Sequence, residues 1–347
     1  MLALYLSEFA YATNDVPGRG AISPAPHIAL LLPLKSAVFA PAAEALLQGF
    51  QAAAAFEPSL PVRIYSSIDE SHEIAALYRQ AIASGAKAVV GPLTRSGAAA
   101  LAGIKEMPVP TLALNVVEGV SAEQLYFFGM AVEAEARLTA QLARQQGLQR
   151  AVVIISSGAL AQRMAMAFEE EWLALGGRLE LEYDYKNDPS IFAELGWTPD
   201  TVVFLAADAE NARAIRPFLH KKLKIYATSQ IFLGNNEALT NYDLNGIHFV
   251  DMPWLLQADH PAVMIYPHAL VPLSVEHERF YALGIDTFRL IKLLLTGKAR
   301  VALPLDGVSG QIELDDHTFM RSAIPALFSQ GKAQPDNLQA TPLHERP

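Results

Sequence analysis

From His27 onward the chain alternates short apolar runs of strand length with Ala- and Leu-rich stretches of helical period, and this rhythm restricts the fold more than any other feature. The strand-length runs are HIALLLPL, VRIYSS, KAVVGPL, VPTLALN, QLYFFGM, AVVIISS, RLELEYDY, TVVFLAA, LKIYATS and GIHFVDMP. Helical stretches lie between them at 41–56, 71–84, 133–146, 159–175 and 209–220. Unbroken Val, Ile and Leu runs describe strands covered on both faces, and strands that alternate with helices form parallel sheets through right-handed crossovers. The class is therefore α/β. So many strands exceed what one doubly wound sheet usually holds, which predicts two Rossmann-like lobes with parallel sheets. The break falls near Gly129, where YFFGM can leave one sheet and AVEAEARLTAQLARQQ can open the next. A long helix follows late in HERFYALGIDTFRLIKLLLTGKA, and GVSGQIELDD reads as a closing hairpin.

At 347 residues and 52% hydrophobic the chain can bury two sizeable cores. Its net charge of −10 supplies no diffuse positive field, which argues against nucleic acid or an anionic membrane as a partner. The one basic cluster, His220-Lys221-Lys222-Lys224, reads as a solvated helix end. The sequence contains no cysteine, which removes disulfides, thiolate nucleophiles, thiolate metal sites and lipid attachment through Cys from the chain as given. No apolar run approaches the roughly 18 residues that span a bilayer. MLALYLSEFAYA resembles the tail of a secretory signal, with Ala10-Tyr11-Ala12 fitting a small-x-small cleavage site, and the stretch up to residue 26 reads as a linker rich in Pro and Gly.

The motifs of catalysis are missing. No GxGxxG leads a strand into a helix and no GxxxxGK[ST] occurs. Ser71-His72-Glu73 and Glu276-His277-Glu278 each lack a second His one helical turn on, so neither presents two imidazoles to a metal. The glycine that should open a nucleophile elbow is absent before Ser157, and Ser309 sits in the hairpin. Asp315 and Asp316 are adjacent, so in an extended strand they point to opposite faces. The reading is a protein that is not an enzyme and carries neither metal nor cofactor. What recurs is small polar residues just after strand ends: Lys35 and Ser36, Thr94, Arg95 and Ser96, Asn115, Ser156 and Ser157, Thr228 and Ser229. In open α/β sheets such ends line the ligand crevice; each hydroxyl can equally cap the helix it precedes.

One stretch breaks the strand pattern. NYDLNGIHFVDMPWLL turns at Asn245-Gly246, runs through the strand GIHFV, and then brings an acid, a proline and a tryptophan together. With HIALLLPLKSAVFAPAAEALLQGFQAA, VVGPLTRSG, PTLALN, IYATSQIF, ALGIDTFRL and GVSGQIELDDHTFMRSAIPALFSQGKAQP, this stretch resembles the C-terminal domain of the LppC family, the LpoA-type penicillin-binding protein activators. The resemblance covers about residues 27–335, and ATSQ, DLNGI and DMPWLL are its most specific part. It implies a fold like the type I periplasmic binding proteins, with crossover segments acting as a hinge. On that basis residues 1–26 are a signal remnant or linker, 27–128 with 257–298 form one lobe, 129–256 with 299–331 form the other, and 332–347 are a tail. Gly129, Pro253 and Trp254 become hinge residues. Pro253 fixes a crossover that must stay out of helix, Trp254 seals the joint, and Asp251 caps nearby N–H groups or touches a ligand.

The same resemblance implies a periplasmic regulator that stimulates a class A penicillin-binding protein, the peptidoglycan synthase. A small cleft ligand or cell-wall fragment is a further partner. Outer-membrane anchoring is implied by the family, while the lipid-bearing Cys typical of it is absent from this sequence. The alternative is the solute-binding protein of an ABC transporter for amino acids or similar small ligands, for which Lys35, Thr94, Arg95 and Ser96 would hold a carboxylate.

Overall fold

The computed structural model describes residues 10–11, 24–57, 59–117, 119, 122–186, 188–193, 198–236, 238–336 and 338. The chain divides into two units, Met1–Met130 with Pro261–Arg321 and Ala131–His260 with Ser322–Pro347. Unit 1 opens with β1 (Ala10–Tyr11), β2 (His27–Leu32), α1 (Ala40–Ala54), β3 (Val62–Ser66), α2 (Glu70–Ala83), β4 (Ala86–Val90), α3 (Arg95–Ala102), β5 (Thr111–Ala113) and β6 (Leu125–Phe128). Unit 2 takes α4 (Val132–Gln145), β7 (Arg150–Ile155), α5 (Ala159–Ala174), β8 (Arg178–Asp184), β9 (Thr201–Ala206), α6 (Ala209–Ile215), β10 (Lys224–Ala227), β11 (Ile247–Asp251) and α7 (Pro253–Leu256). The chain returns to unit 1 for α8 (Pro261–Met264), α9 (Val275–Leu295), β12 (Leu305–Asp306), β13 (Gln311–Asp315) and β14 (Thr318–Ser322). It ends in unit 2 with β15 (Ile324–Ser329) and β16 (Lys332–Pro335).

The unit 1 sheet has the order β1-β3-β2-β4-β5-β6-β14-β13-β12. Every residue of the central β2 is buried, as its unbroken apolar run requires of a strand covered on both faces. Two helices on this sheet meet backbone to backbone. A Cβ added to Gly49 on α1 would lie 1.9 Å from the Tyr281 carbonyl oxygen, and one added to Gly284 on α9 would lie 2.0 Å from that of Leu46. Phe50 and Phe288 close the same seam edge to face, with ring centroids 5.3 Å apart. Two residues after Gly284 the fully buried Asp286 accepts from the backbone N–H of Val308 at 3.2 Å, the N–H of Ser309 at 2.8 Å and the Ser309 hydroxyl at 2.7 Å. That carboxylate ties the β12–β13 turn to the helix.

The unit 2 sheet runs β16-β15-β11-β10-β9-β7-β8. Its parallel centre carries two antiparallel strands at one edge, where β15 pairs with β11 and β16 with β15. Phe168 on α5 stacks on Phe204 of β9 at 4.2 Å and on Trp172 at 5.7 Å, and the Trp172 indole donates to the Arg178 carbonyl at 3.1 Å. The edge strand β8 alternates exposed and half-buried residues, the period of a strand covered on one face only.

All ten strand-length runs of the sequence are strands. Four expectations change. Residues 299–321, assigned to the second lobe, belong to unit 1, because β14 pairs in parallel with β6, Phe319 opposite Phe128. Lys332–Pro335, read as tail, is strand β16; the rest of that segment, apart from Asp336 and Leu338, lies outside the described residues. Ala10–Tyr11, read within a signal remnant, pairs in parallel with β3, while the other residues up to 23 lie outside the described set. Pro253 and Trp254 sit in the helical turn α7, not in an extended crossover, because Pro is well suited to a first helical turn, where no N–H is needed.

The glycine seam yields a direct test. Gly284→Ala forces the two helices apart or bends one of them, so it should destabilise the protein at or above the upper end of the roughly 1–3 kcal/mol seen for overpacked cores. Gly297→Ala, where a Cβ meets nothing within 4 Å, is the spatial control, although its φ of +65° brings a backbone penalty of its own. Urea unfolding of the two variants separates the contact from the loss of a glycine.

Candidate functional site

The cleft candidates fall at the strand C-terminal ends of the two sheets, at β2, β4, β5, β7, β10 and β11, and each unit organises its own set. In unit 1 the organiser is Glu70, the first residue of α2, which is 2% exposed. The α2 helix starts where Asp69 accepts the N–H of Ser71 at 2.9 Å and Glu73 reaches back to the N–H of Asp69 at 3.1 Å, a reciprocal cap that leaves Glu70 to turn inward. Its carboxylate accepts from the N–H of Leu93 at 3.0 Å and of Thr94 at 2.6 Å. The Thr94 hydroxyl in turn accepts from Gly97 N–H at 3.1 Å as the N-cap of α3 and lies 3.4 Å from the Ser96 hydroxyl. Asn115 donates from Nδ2 to the Leu93 carbonyl at 3.3 Å and accepts the Val116 N–H at 3.1 Å. The loop after β4 is thus held from both sides.

Lys35 donates its backbone N–H to Ser67 at 3.1 Å, and the Ser36 hydroxyl accepts the Phe39 N–H at 3.4 Å ahead of α1. Arg95 is exposed at the first position of α3. Gly91 fixes how the loop leaves β4. Its φ is +100°, and a Cβ there would lie 1.9 Å from the Leu31 carbonyl oxygen, so no other residue fits.

Unit 2 repeats the device with a different acid. Glu135 on α4, 6% exposed, accepts the Ser229 N–H at 3.1 Å. Thr228, fully buried, accepts the Gln230 N–H at 3.4 Å as cap of the 3-10 turn Ser229–Ile231 and donates to the Met164 sulfur at 3.1 Å. Ser156 donates to the Ala206 carbonyl at 3.1 Å, whereas Ser157 is exposed. Asp251 ends β11 at 1% exposure and accepts the N–H of Met252 at 2.9 Å, and Trp254 beside it is 3% exposed. Gly129 packs within unit 1, where a Cβ would lie 3.1 Å from the Leu114 carbonyl oxygen.

Residue type and position gave away the hydroxyl caps. Glu70, Glu135 and Asp286 escaped sequence reading, because an acid in a helix gives no sign of which distant loop it will brace. Among the described residues no group of three or more His, Asp or Glu side chains could hold a metal ion, and no helix is long and apolar enough to cross a membrane.

The fold of the two units, parallel α/β with polar loops at the strand ends, is that of periplasmic binding proteins. A Chromobacterium violaceum structure assigned to a branched-chain amino acid ABC transporter matches with a TM-score of 0.75 and 34% identity, covering 88% of this chain and 100% of that one. The C-domain of LpoA from Haemophilus influenzae, described as a regulator of PBP1A, matches with a TM-score of 0.72 and 24% identity over 89% of this chain and 99% of that one. The family model "LppC putative lipoprotein" matches residues 21–194 and 198–324, and the chain belongs to that family. Penicillin-binding protein activator LpoA of Klebsiella pneumoniae is 26% identical over 325 residues, 82% of this chain and 46% of the relative. That of Pectobacterium parmentieri is 26% identical over 379 residues, 95% of this chain and 55% of the relative. The chain spans about half the length of these curated relatives.

Two outcomes follow for the braces. Glu70→Ala leaves the Leu93 and Thr94 N–H groups without their acceptor and should cost about 2 kcal/mol or more. Burial also pushes the Glu70 carboxyl above its ordinary 4.5, the N–H donors pulling it only partly back. A carboxyl raised in the folded state binds more protons folded than unfolded, so its contribution is most favourable below the ordinary value and declines as pH rises through the raised one. The stability of the parent relative to Glu70→Gln should therefore fall as pH rises above the ordinary carboxyl value of 4.5, read by urea unfolding at a series of pH values. Trp254→Ala empties a buried site and should cost roughly 3–5 kcal/mol.

Proposed function

We infer that this chain is the binding-protein-like part of a periplasmic regulator that stimulates a class A penicillin-binding protein and has no catalytic step of its own. The observation that carries the reading is its membership of the LppC family together with curated relatives, named activators of penicillin-binding proteins, that align over most of this chain. Supporting it, the polar residues at the strand ends are spent on the protein's own loops. Thr94 and Thr228 cap, Ser36 holds the turn before α1, Asn115 braces the loop after β4, and Glu70 and Glu135 hold backbone N–H groups. Gly129, Pro253 and Trp254 remain the proposed hinge residues, and outer-membrane anchoring remains part of the family-level proposal.

A second reading has its own support in the 34% identity to the Chromobacterium violaceum protein assigned to an amino acid transporter. In it a free amino acid or similar small ligand binds at Lys35, Thr94, Arg95 and Ser96. One pair of measurements separates the two. A ligand present at 100 times its dissociation constant raises stability by about 2.7 kcal/mol, a clear shift in melting temperature. The expected result is no shift with leucine or other free amino acids, and an increased rate of peptidoglycan synthesis when the protein is added to the class A synthase of the same organism. A clear amino acid shift with no effect on the synthase selects the transporter reading instead.

A further inference from the structure

The strand N-terminal edge of unit 2 combines features that a solvated helix end does not need. Three 3-10 turns lie side by side there, Ser190–Ala193, Arg216–Phe218 and Thr240–Leu244, the last two leading toward β10 and β11. Partly buried polar bonds fix them. Arg216 donates from Nε to the Asn245 carbonyl at 3.0 Å and from an Nη to that of Leu219 at 3.2 Å. Arg213 donates to the Asn241 side-chain oxygen at 3.3 Å, and Asn241, 2% exposed, donates to the Gly234 carbonyl at 2.7 Å. On this frame large apolar side chains stand in solvent: Tyr242 is 62% exposed, Leu239 91% and Phe218 40%. Beside them Lys221, Lys222 and Lys224 are exposed and form no ion pair among the described residues; Asp243 is the acid on the neighbouring turn. A protein of net charge −10 thus carries its one basic cluster, which forms no ion pair among the described residues, next to exposed aromatic groups on turns whose backbone is braced.

We propose that this edge is the docking surface for the protein partner and accepts an acidic segment that carries apolar side chains. Phe218, Leu239 and Tyr242 are its anchors, and Lys221, Lys222 and Lys224 its charged rim. The proposal rests on the partner reading given above. Aromatic anchors held in place before binding lose little entropy on association, and a charged rim speeds encounter and selects the partner's sign. A membrane surface fits less well. Three side chains on short turns do not form the continuous apolar face of an interfacial helix, and the overall negative charge is repelled by an extended anionic surface.

The test uses the full chain and the soluble periplasmic portion of the class A synthase from the same organism, with binding rates measured at low and high salt and melting temperatures checked for every variant. Lys221→Glu with Lys222→Glu should slow association about tenfold or more and remove its salt dependence. Tyr242→Ser should speed dissociation about tenfold or more. Leu270→Ser, on an exposed residue of unit 1, should change neither. Parent-like binding by both surface variants overturns the docking site while leaving the partner reading intact. Failure of the parent itself to bind overturns both. Charge reversal that abolishes binding to phosphatidylglycerol vesicles yet leaves synthase binding unchanged overturns the protein partner in favour of a lipid one.

Discussion

Two helices in unit 1 touch through their backbones, and much of that unit depends on the contact. Side chains normally hold helix axes 8–10 Å apart. Gly49 and Gly284 remove the side chains where α1 and α9 cross, so each helix presses on a carbonyl of the other. The close approach sets the position of α9, and α9 carries Asp286. That carboxylate in turn holds Val308 and Ser309, and the loop they belong to launches β13 and β14 onto the free side of β6. Three of the segments that carry the family resemblance, LLQGFQAA, ALGIDTFRL and GVSGQIELDD, are parts of this one linkage.

The buried acids follow a common rule. Glu70, Glu135 and Asp286 each lie within a helix and accept backbone N–H groups from a loop elsewhere in the same unit. A buried carboxylate is costly unless its oxygens are satisfied, and a loop that leaves a sheet has N–H groups with no strand to receive them. Each solves the other's problem. The loops at the strand ends are therefore set by helices beneath them, and substitutions there act on shape before they act on any ligand.

Strand positions were legible because burial on both faces demands uninterrupted apolar runs, a signal that survives without knowledge of neighbours. The polar caps at Thr94 and Thr228 were legible in kind, since a short oxygen-bearing side chain ahead of a helix has few other uses. Other elements were hidden. Helix α3 reads RSGAAALA, too short and too poor in large apolar residues for its period to register. Strands β14 to β16 carry mixed sequences such as TFMRS and KAQP, because most of their residues are only partly buried or exposed and no unbroken apolar run is required of them. The helical turn at Pro253 was missed for a different reason. Proline resists the middle of a helix but suits its start, and only the extended geometry of Met252 before it shows which applies.

The path of the chain through unit 1 has a kinetic consequence. Leu125 on β6 receives a hydrogen bond from His317, 192 residues later, and all of unit 2 up to His260 lies between them. Until the final quarter of the chain is available, β6 is an open edge and the glycine face of α1 has no partner. Such non-local closure slows folding and leaves an unpaired strand edge able to pair with another molecule. Unit 2 can begin to pack its central strands while unit 1 still waits for its end. A chain interrupted anywhere before β14 would carry an incomplete unit 1 sheet, and aggregation through β6 would compete with completion of the fold.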